Sequence, residues 1–168
     1  MKTDHYFNDR RIQNEFREWL QSRCGVFSHF VTLATNDPTI GETAMRARLR
    51  KWEARTFRAL YGPKWNKHFD ELPWSFAFIE NPRSNPHWHI LMRLMKRLDE
   101  SELIETVLLR QSANRAWLKL TPSGTVDVKG IEPGSNKSVA NYVAKQLGRE
   151  IQFQHCVLPD EFWRFDKY

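Results

Sequence analysis

Residues 74–94, WSFAFIENPRSNPHWHILMRL, narrow the choice of fold more than any other part of this chain. Residues 74–80 alternate large and smaller side chains at the period of a strand, residues 81–86 are dense in turn formers, and residues 87–94 return as a second strand. The expectation is a β-hairpin. Side chains two apart on a strand share a face, so His87, His89 and Leu91 point one way while Trp88, Ile90 and Met92 point the other. Any pairing whose residue numbers sum to an odd value, such as Glu80 opposite His89, brings the Glu80 carboxylate onto the histidine face. That assembles a His-His-Glu set with coordination positions to spare. The competing reading is two histidines on a half-exposed strand with no ligand at all; the acidic partner and the hairpin favour the metal site. A nucleotide hydrolase of the histidine-triad type requires a third histidine where Leu91 stands, and a cupin requires an all-β chain; neither condition is met.

At 168 residues the chain has the length of one domain with a substantial core. Lys and Arg number 26 against 20 Asp and Glu, a net charge of +6 that suits a polyanionic partner without requiring one. Seven tryptophans and eleven phenylalanines serve either a core or a surface on which unpaired bases stack. Cys24 and Cys156 form neither a spaced metal pair nor a disulfide framework, so both are expected as small buried thiols in a reducing compartment. No apolar run approaches the length of a membrane span and the first residues lack a signal-peptide core, so the expectation is a soluble, cytoplasmic protein without a membrane partner.

The other elements follow from periodicity. Ile12, Phe16, Trp19 and Leu20 recur at helical spacing and predict a short helix over 10–22, packed on the sheet's edge or back. Residues 26–35, VFSHFVTLAT, read as a strand that stops at Asn36-Asp37-Pro38. Residues 43–61 predict a long helix whose stripe is Met45, Leu49, Trp52, Thr56, Ala59 and Leu60. Arg48, Lys51 and Arg55 stand among the basic residues around it, either a clamp for phosphates or ordinary solvated surface. Asp99-Glu100-Ser101-Glu102 has the pattern of a capping box, opening a helix with Leu103, Ile104, Val107 and Leu108 as its expected buried stripe. Residues 125–131 alternate as an antiparallel strand, the fourth; a fifth is not evident. The fold class expected is α+β, a central antiparallel sheet of about five strands with helices packed mainly on one face and the metal on the other. The domain spans 1–168, with a core of 26–148 and a C-terminal extension of 149–168.

A second stretch carries chemistry. Residues 138–147, SVANYVAKQL, predict a helix stopped by Gly148, with Val139, Val143 and Leu147 inward, Tyr142 on the border of that stripe and Lys145 one turn toward solvent. An amphipathic tyrosine anchoring a helix by its ring is the ordinary reading. The combination of His87-Trp88-His89 with Tyr142-Val143-Ala144-Lys145, in that order, resembles the HUH endonucleases, the family of rolling-circle replication initiators and relaxases. The resemblance covers roughly residues 27–148. Several initiators of that family take a third metal ligand from an acidic residue on the neighbouring strand, a place that Glu80 matches. Thr32, Leu33 and Asn36 loosely match a strand end that lies near bound DNA in the family. Relatives with two catalytic tyrosines carry the second four residues after the first, where this chain has Gln146, so the resemblance is to the single-tyrosine type.

What the resemblance implies is nicking and rejoining of single-stranded DNA at a replication origin. Tyr142 would be the nucleophile, Lys145 its electrostatic partner, and Glu80, His87 and His89 would hold Mn²⁺ or Mg²⁺. Transposition and plasmid mobilisation use the same chemistry, and a non-catalytic nucleic-acid-binding domain is the rival from another class. No Gly-x-x-x-x-Gly-Lys-Ser/Thr loop occurs, so unwinding and synthesis would fall to a host helicase and polymerase. Oligomeric state is not legible.

Overall fold

Every second residue of β1 (His29–Ala34) is buried: His29, Val31 and Leu33 lie inward while Phe30, Thr32 and Ala34 are half-buried, the pattern of a strand with two unlike faces. The computed structural model describes residues 14–15, 18–19, 21–22, 26–67, 73–94, 102–132, 138, 141, 156–158 and 162. In them β1 is followed by α1 (Glu42–Tyr61), a short 3₁₀ turn (Trp65–Lys67), β2 (Trp74–Glu80), β3 (His87–Arg93), α2 (Glu102–Leu118), β4 (Thr125–Gly130) and β5 (Cys156–Val157). The five strands form one antiparallel sheet in the order β4-β1-β3-β2-β5. The fifth strand comes from the segment expected to be an extension beyond the core; Cys156 and Val157 pair with Phe78 and Ala77 on the free side of β2. Two residues are too short for any period to show.

Both helices lie on one face. Val31, Leu33, Ala77, Ile79, Trp88, Ile90, Met92 and Val128 of the sheet share a core with Met45, Leu49, Trp52, Phe57 and Leu60 of α1 and with Leu109, Ala113, Ala116 and Trp117 of α2. A buried indole N–H needs an acceptor, and three tryptophans use that need to join layers. Trp88 of β3 donates to the Met45 carbonyl of α1 (3.2 Å), Trp52 of α1 to the Ala113 carbonyl of α2 (3.1 Å), and Trp117 of α2 to the Ala34 carbonyl of β1 (2.8 Å). Gly124, before β4, lies under this last contact. A Cβ there would stand 2.5 Å from the Trp117 indole nitrogen and 2.8 Å from the Ala34 carbonyl oxygen, so the turn into β4 has room only for glycine.

The inward face of α2 differs from the one expected. Leu103, Ile104 and Val107 are 74%, 48% and 42% exposed, Leu108 is half-buried, and the buried set is Leu109, Ala113, Ala116 and Trp117. Those positions follow i, i+4, i+7 and i+8, a proper stripe, but two of the four are alanines. The larger apolar residues crowd the first turns, and the docking of Trp117 on β1 settles which side turns in. In α1 the expected stripe holds except that Ala59 is exposed, while Glu53 and Phe57 are buried. Glu53 accepts a hydrogen bond from the buried Ser75 hydroxyl of β2. Cys156 is buried; Cys24, Asp99 and Ser101 lie outside the described residues.

His29 is fully buried between sheet and α2, its ring nitrogens 2.8 Å from the Ser28 hydroxyl and 2.9 Å from the Thr106 hydroxyl. Burial pushes its pKa down from 6.5 to about 4, because a charged imidazole there loses its water. Above pH 6.5 neither the folded nor the unfolded chain protonates this residue. As pH falls from 6.5 to about 4 the unfolded chain alone takes up the proton. Folding should therefore weaken across that window, by up to about 3 kcal/mol, with no further contribution from His29 below it. Urea unfolding across the window should show a shallower decline in His29→Gln than in the parent; parallel declines would remove His29 as the cause.

Candidate metal centre

The register of the hairpin decides what the second face of the sheet can do. Glu80 stands opposite His87, and Phe78 opposite His89, throughout a pairing whose residue numbers sum to 167. The expected example set Glu80 against His89; the observed register is shifted by two residues and keeps the odd sum, so the side chains remain on the anticipated face. Glu80, His87 and His89 are there together. One carboxylate oxygen of Glu80, Oε2, lies 3.0 Å from His87 Nε2 and 2.6 Å from His89 Nε2. The three potential ligand atoms all fall within 4.8 Å of one another. α1 and α2 are on the opposite side; on this one Phe27, Phe76, Phe78, Leu91, Ile131 and Cys156 form a second, smaller apolar cluster.

The outer contacts of the two imidazoles bear on what they can bind. His87 Nδ1 is 3.0 Å from the Asn85 carbonyl oxygen, which only accepts, so that nitrogen carries the ring proton. Its other nitrogen faces the carboxylate, also an acceptor. A cation between Nε2 and Glu80 would be held by both. His89 is placed differently. Its Nδ1 lies 3.2 Å from the Thr32 hydroxyl, which can donate or accept and so serves either tautomer. Its ring lies between Phe30, stacked at 5.4 Å, and Phe78, tilted at 5.2 Å. Burial holds His89 below the ordinary imidazole pKa; the Glu80 hydrogen bond works the other way and the neighbouring His87 adds to the lowering. A neutral ring with Nε2 turned to the carboxylate is the form that ligates metal. Two nitrogens and one carboxylate oxygen suit Mn²⁺ or Mg²⁺, and also Zn²⁺, Co²⁺ or Ni²⁺. The residues fit a divalent ion.

Thr32, anticipated as a DNA contact, stands opposite His89 in the β1–β3 pairing and acts on the imidazole. Such outer hydrogen bonds commonly contribute about 10–100-fold to metal affinity. Thr32→Val, which keeps the branched shape a strand favours, should weaken Mn²⁺ binding by a factor in that range in a calorimetric titration. Equal affinity would mean that the aromatic pair alone fixes the ring.

The remaining site residues separate by position. Asn36, two residues beyond β1, has a left-handed conformation, φ 53°, and donates from its exposed side chain to the Ser123 carbonyl at 2.9 Å. Arg48, Lys51 and Arg55 belong to α1, on the helical side of the sheet and away from the triad; Arg48 reaches the Thr121 hydroxyl at 3.4 Å. The sheet lies between these basic residues and the triad. Tyr142 and Lys145 lie outside the described residues. Asn141, the residue before Tyr142, is described and helical, and its side-chain oxygen accepts from Gln21 at 3.2 Å. Gln21 follows closely on Trp19, whose ring meets Phe76 edge-on at 6.2 Å. Phe76 shares its strand face with Glu80, so Trp19 lies on the triad's side of the sheet.

Sequence reasoning missed Phe30, Phe78 and the Asn85 carbonyl. The two phenylalanines had a signal, since both lie at the period of the site residues on strands beside His89; the carbonyl had none. Comparison of the chain with protein-family models, with curated proteins and with solved structures finds no match. Among the described residues no helix is long and apolar enough to cross a membrane.

Proposed function

We propose that this chain nicks and rejoins single-stranded DNA by attack of Tyr142, in the manner of the single-tyrosine HUH endonucleases it resembles. The observation that carries the proposal is the convergence of two imidazole nitrogens on one carboxylate oxygen, on the sheet face opposite α1 and α2. A divalent ion held by Glu80, His87 and His89 would supply a Lewis acid for a non-bridging phosphate oxygen and offset charge that develops there. The chain's own residues supply the rest. Thr32, Phe30 and Phe78 fix the His89 ring, and the Asn85 carbonyl orients His87. Tyr142 Oη would form a bond to phosphorus as the bond from phosphorus to the 3′ oxygen breaks. The phenol loses its proton and the departing oxygen gains one, leaving a 5′-phosphotyrosine and a free 3′-hydroxyl. Lys145 would favour the phenolate or the phosphate through its positive charge. The reverse attack by a 3′-hydroxyl rejoins the strand, since the phosphodiester has been exchanged and not hydrolysed.

The test is incubation with radiolabelled single-stranded DNA and Mn²⁺, followed by denaturing electrophoresis. The expected result is a label that migrates with the protein. Cleavage without attachment would make the chain a metal-dependent hydrolase, and binding without cleavage a nucleic-acid-binding domain; either outcome overturns the proposal.

A further inference from the structure

Trp74, at the start of β2, stands directly opposite Arg93, at the end of β3. Each is an even number of residues from a triad member on its own strand, so both project onto the face that carries Glu80, His87 and His89. Trp19, Val26 and Phe27 supply the other walls of a pocket of about 360 Å³. Its lining is two indoles, a phenyl ring, a valine and a guanidinium. The Phe27 and Trp74 rings lie 5.4 Å apart at a tilt of 32°, and Trp19 and Val26 are both exposed although large and apolar. The volume is that of a small-molecule site. The wall thus offers ring faces to a flat group and a positive charge to an anion. A flat π-system that carries a negative charge uses both, because rings stack on its faces and Arg pairs with its phosphate.

We infer that this pocket takes one unpaired base of a single strand, with the Arg93 guanidinium on an adjoining phosphate. The inference deepens the proposed function and rests on it in one respect, that a single strand is the ligand of this face. From His87 to Arg93 β3 runs seven residues, about 20 Å at the rise of a strand. That distance corresponds to about six stacked nucleotides, fewer when the strand is extended. A base seated in the pocket therefore sets which phosphate of the same strand reaches the triad. The pocket chooses the register of cleavage, whereas the triad attends to a phosphate of any sequence.

The experiment is fluorescence anisotropy of an end-labelled oligothymidylate without metal, for the parent, Arg93→Gln, Trp74→Leu and Trp74→Phe. Arg93→Gln and Trp74→Leu should each weaken binding about tenfold or more, and Trp74→Phe, which keeps a ring, should recover most of the loss. An abasic oligomer of equal length should bind the parent no better than oligothymidylate binds Trp74→Leu. Trp74 packs on Phe27, so a fold defect is separated by Mn²⁺ titration of each variant; Arg93 is exposed, and its replacement tests the pocket without disturbing the core. Parent-like affinity in both Arg93→Gln and Trp74→Leu overturns the inference and leaves the nuclease reading standing. So does an abasic oligomer that binds the parent as tightly as oligothymidylate, which would reduce the site to a phosphate contact. A parent that takes up Mn²⁺ and binds no oligothymidylate overturns both.

Discussion

Tyr142→Phe should take up metal and bind single-stranded DNA as the parent does, and form no covalent adduct at all. Phenylalanine keeps the ring that the helical pattern places at the border of the buried stripe and removes the one oxygen that could attack phosphorus. Lys145→Ala should be milder. A lost electrostatic contact typically raises a barrier by about 3 kcal/mol, roughly a hundredfold in rate, whereas a missing nucleophile leaves no route. The chain has four tyrosines. Tyr61 ends α1 and packs near Phe57 on the helical side of the sheet, the wrong side for attack at the triad. Tyr6 and Tyr168 lie outside the described residues and serve as substitution controls. Mass spectrometry of a tryptic digest after reaction should find the nucleotide on the peptide that holds Tyr142. A linked nucleotide on another tyrosine, or an adduct that survives Tyr142→Phe, would remove Tyr142 from the mechanism.

The parts of the fold that could be read from the sequence are those in which neighbours along the chain are also neighbours in space. The hairpin is the clearest case. Its turn residues and alternating strands announce the hairpin, and an odd-sum parity of pairing, which the structure supplies, places Glu80 with the histidines, even though the partner opposite Glu80 is His87 and not His89. The long helix α1 was legible for the same reason, since its core-facing stripe extends over its whole length. In α2 the apolar residues exceed what the inner face can use, and the choice of face depends on where Trp117 meets Ala34, a contact between residues distant in sequence. β5 depends wholly on such pairing. Two residues gain strand geometry because β2 offers an open edge, and no local pattern could announce that.

The site divides along the same line. Its ligands come from one hairpin and could be listed by counting along two strands, but what tunes them comes from β1. Thr32 and Phe30 reach His89 only because β1 lies beside β3, and that order in the sheet is a property of the assembled domain. The basic residues of α1 are a comparable case. Net charge and sequence could say that a helix carries Arg48, Lys51 and Arg55, but not which face of the sheet that helix covers.

His87→Ala combined with His89→Ala should abolish the metal site and, with it, the covalent adduct. Calorimetry on the parent should show one Mn²⁺ site and on the double variant none, since Glu80 would remain as a single half-buried carboxylate, and one such ligand does not retain a divalent ion against water. His89 is the more constrained of the two, stacked by Phe30 and held by Thr32, so His89→Ala alone should cost more affinity than His87→Ala. Stability should move in the same order. His89 is nearly buried and its removal leaves a gap between Phe30 and Phe78, whereas His87 lies closer to solvent. The fold itself should survive both changes, because the larger core, including Trp52, Trp88 and Trp117, lies on the other face of the sheet. The double variant should also retain its affinity for oligothymidylate, measured without metal, since the aromatic pocket lies at the far ends of β2 and β3. Undiminished Mn²⁺ affinity in the double variant would sink the metal assignment, and with it the reading of this sheet face as a catalytic one.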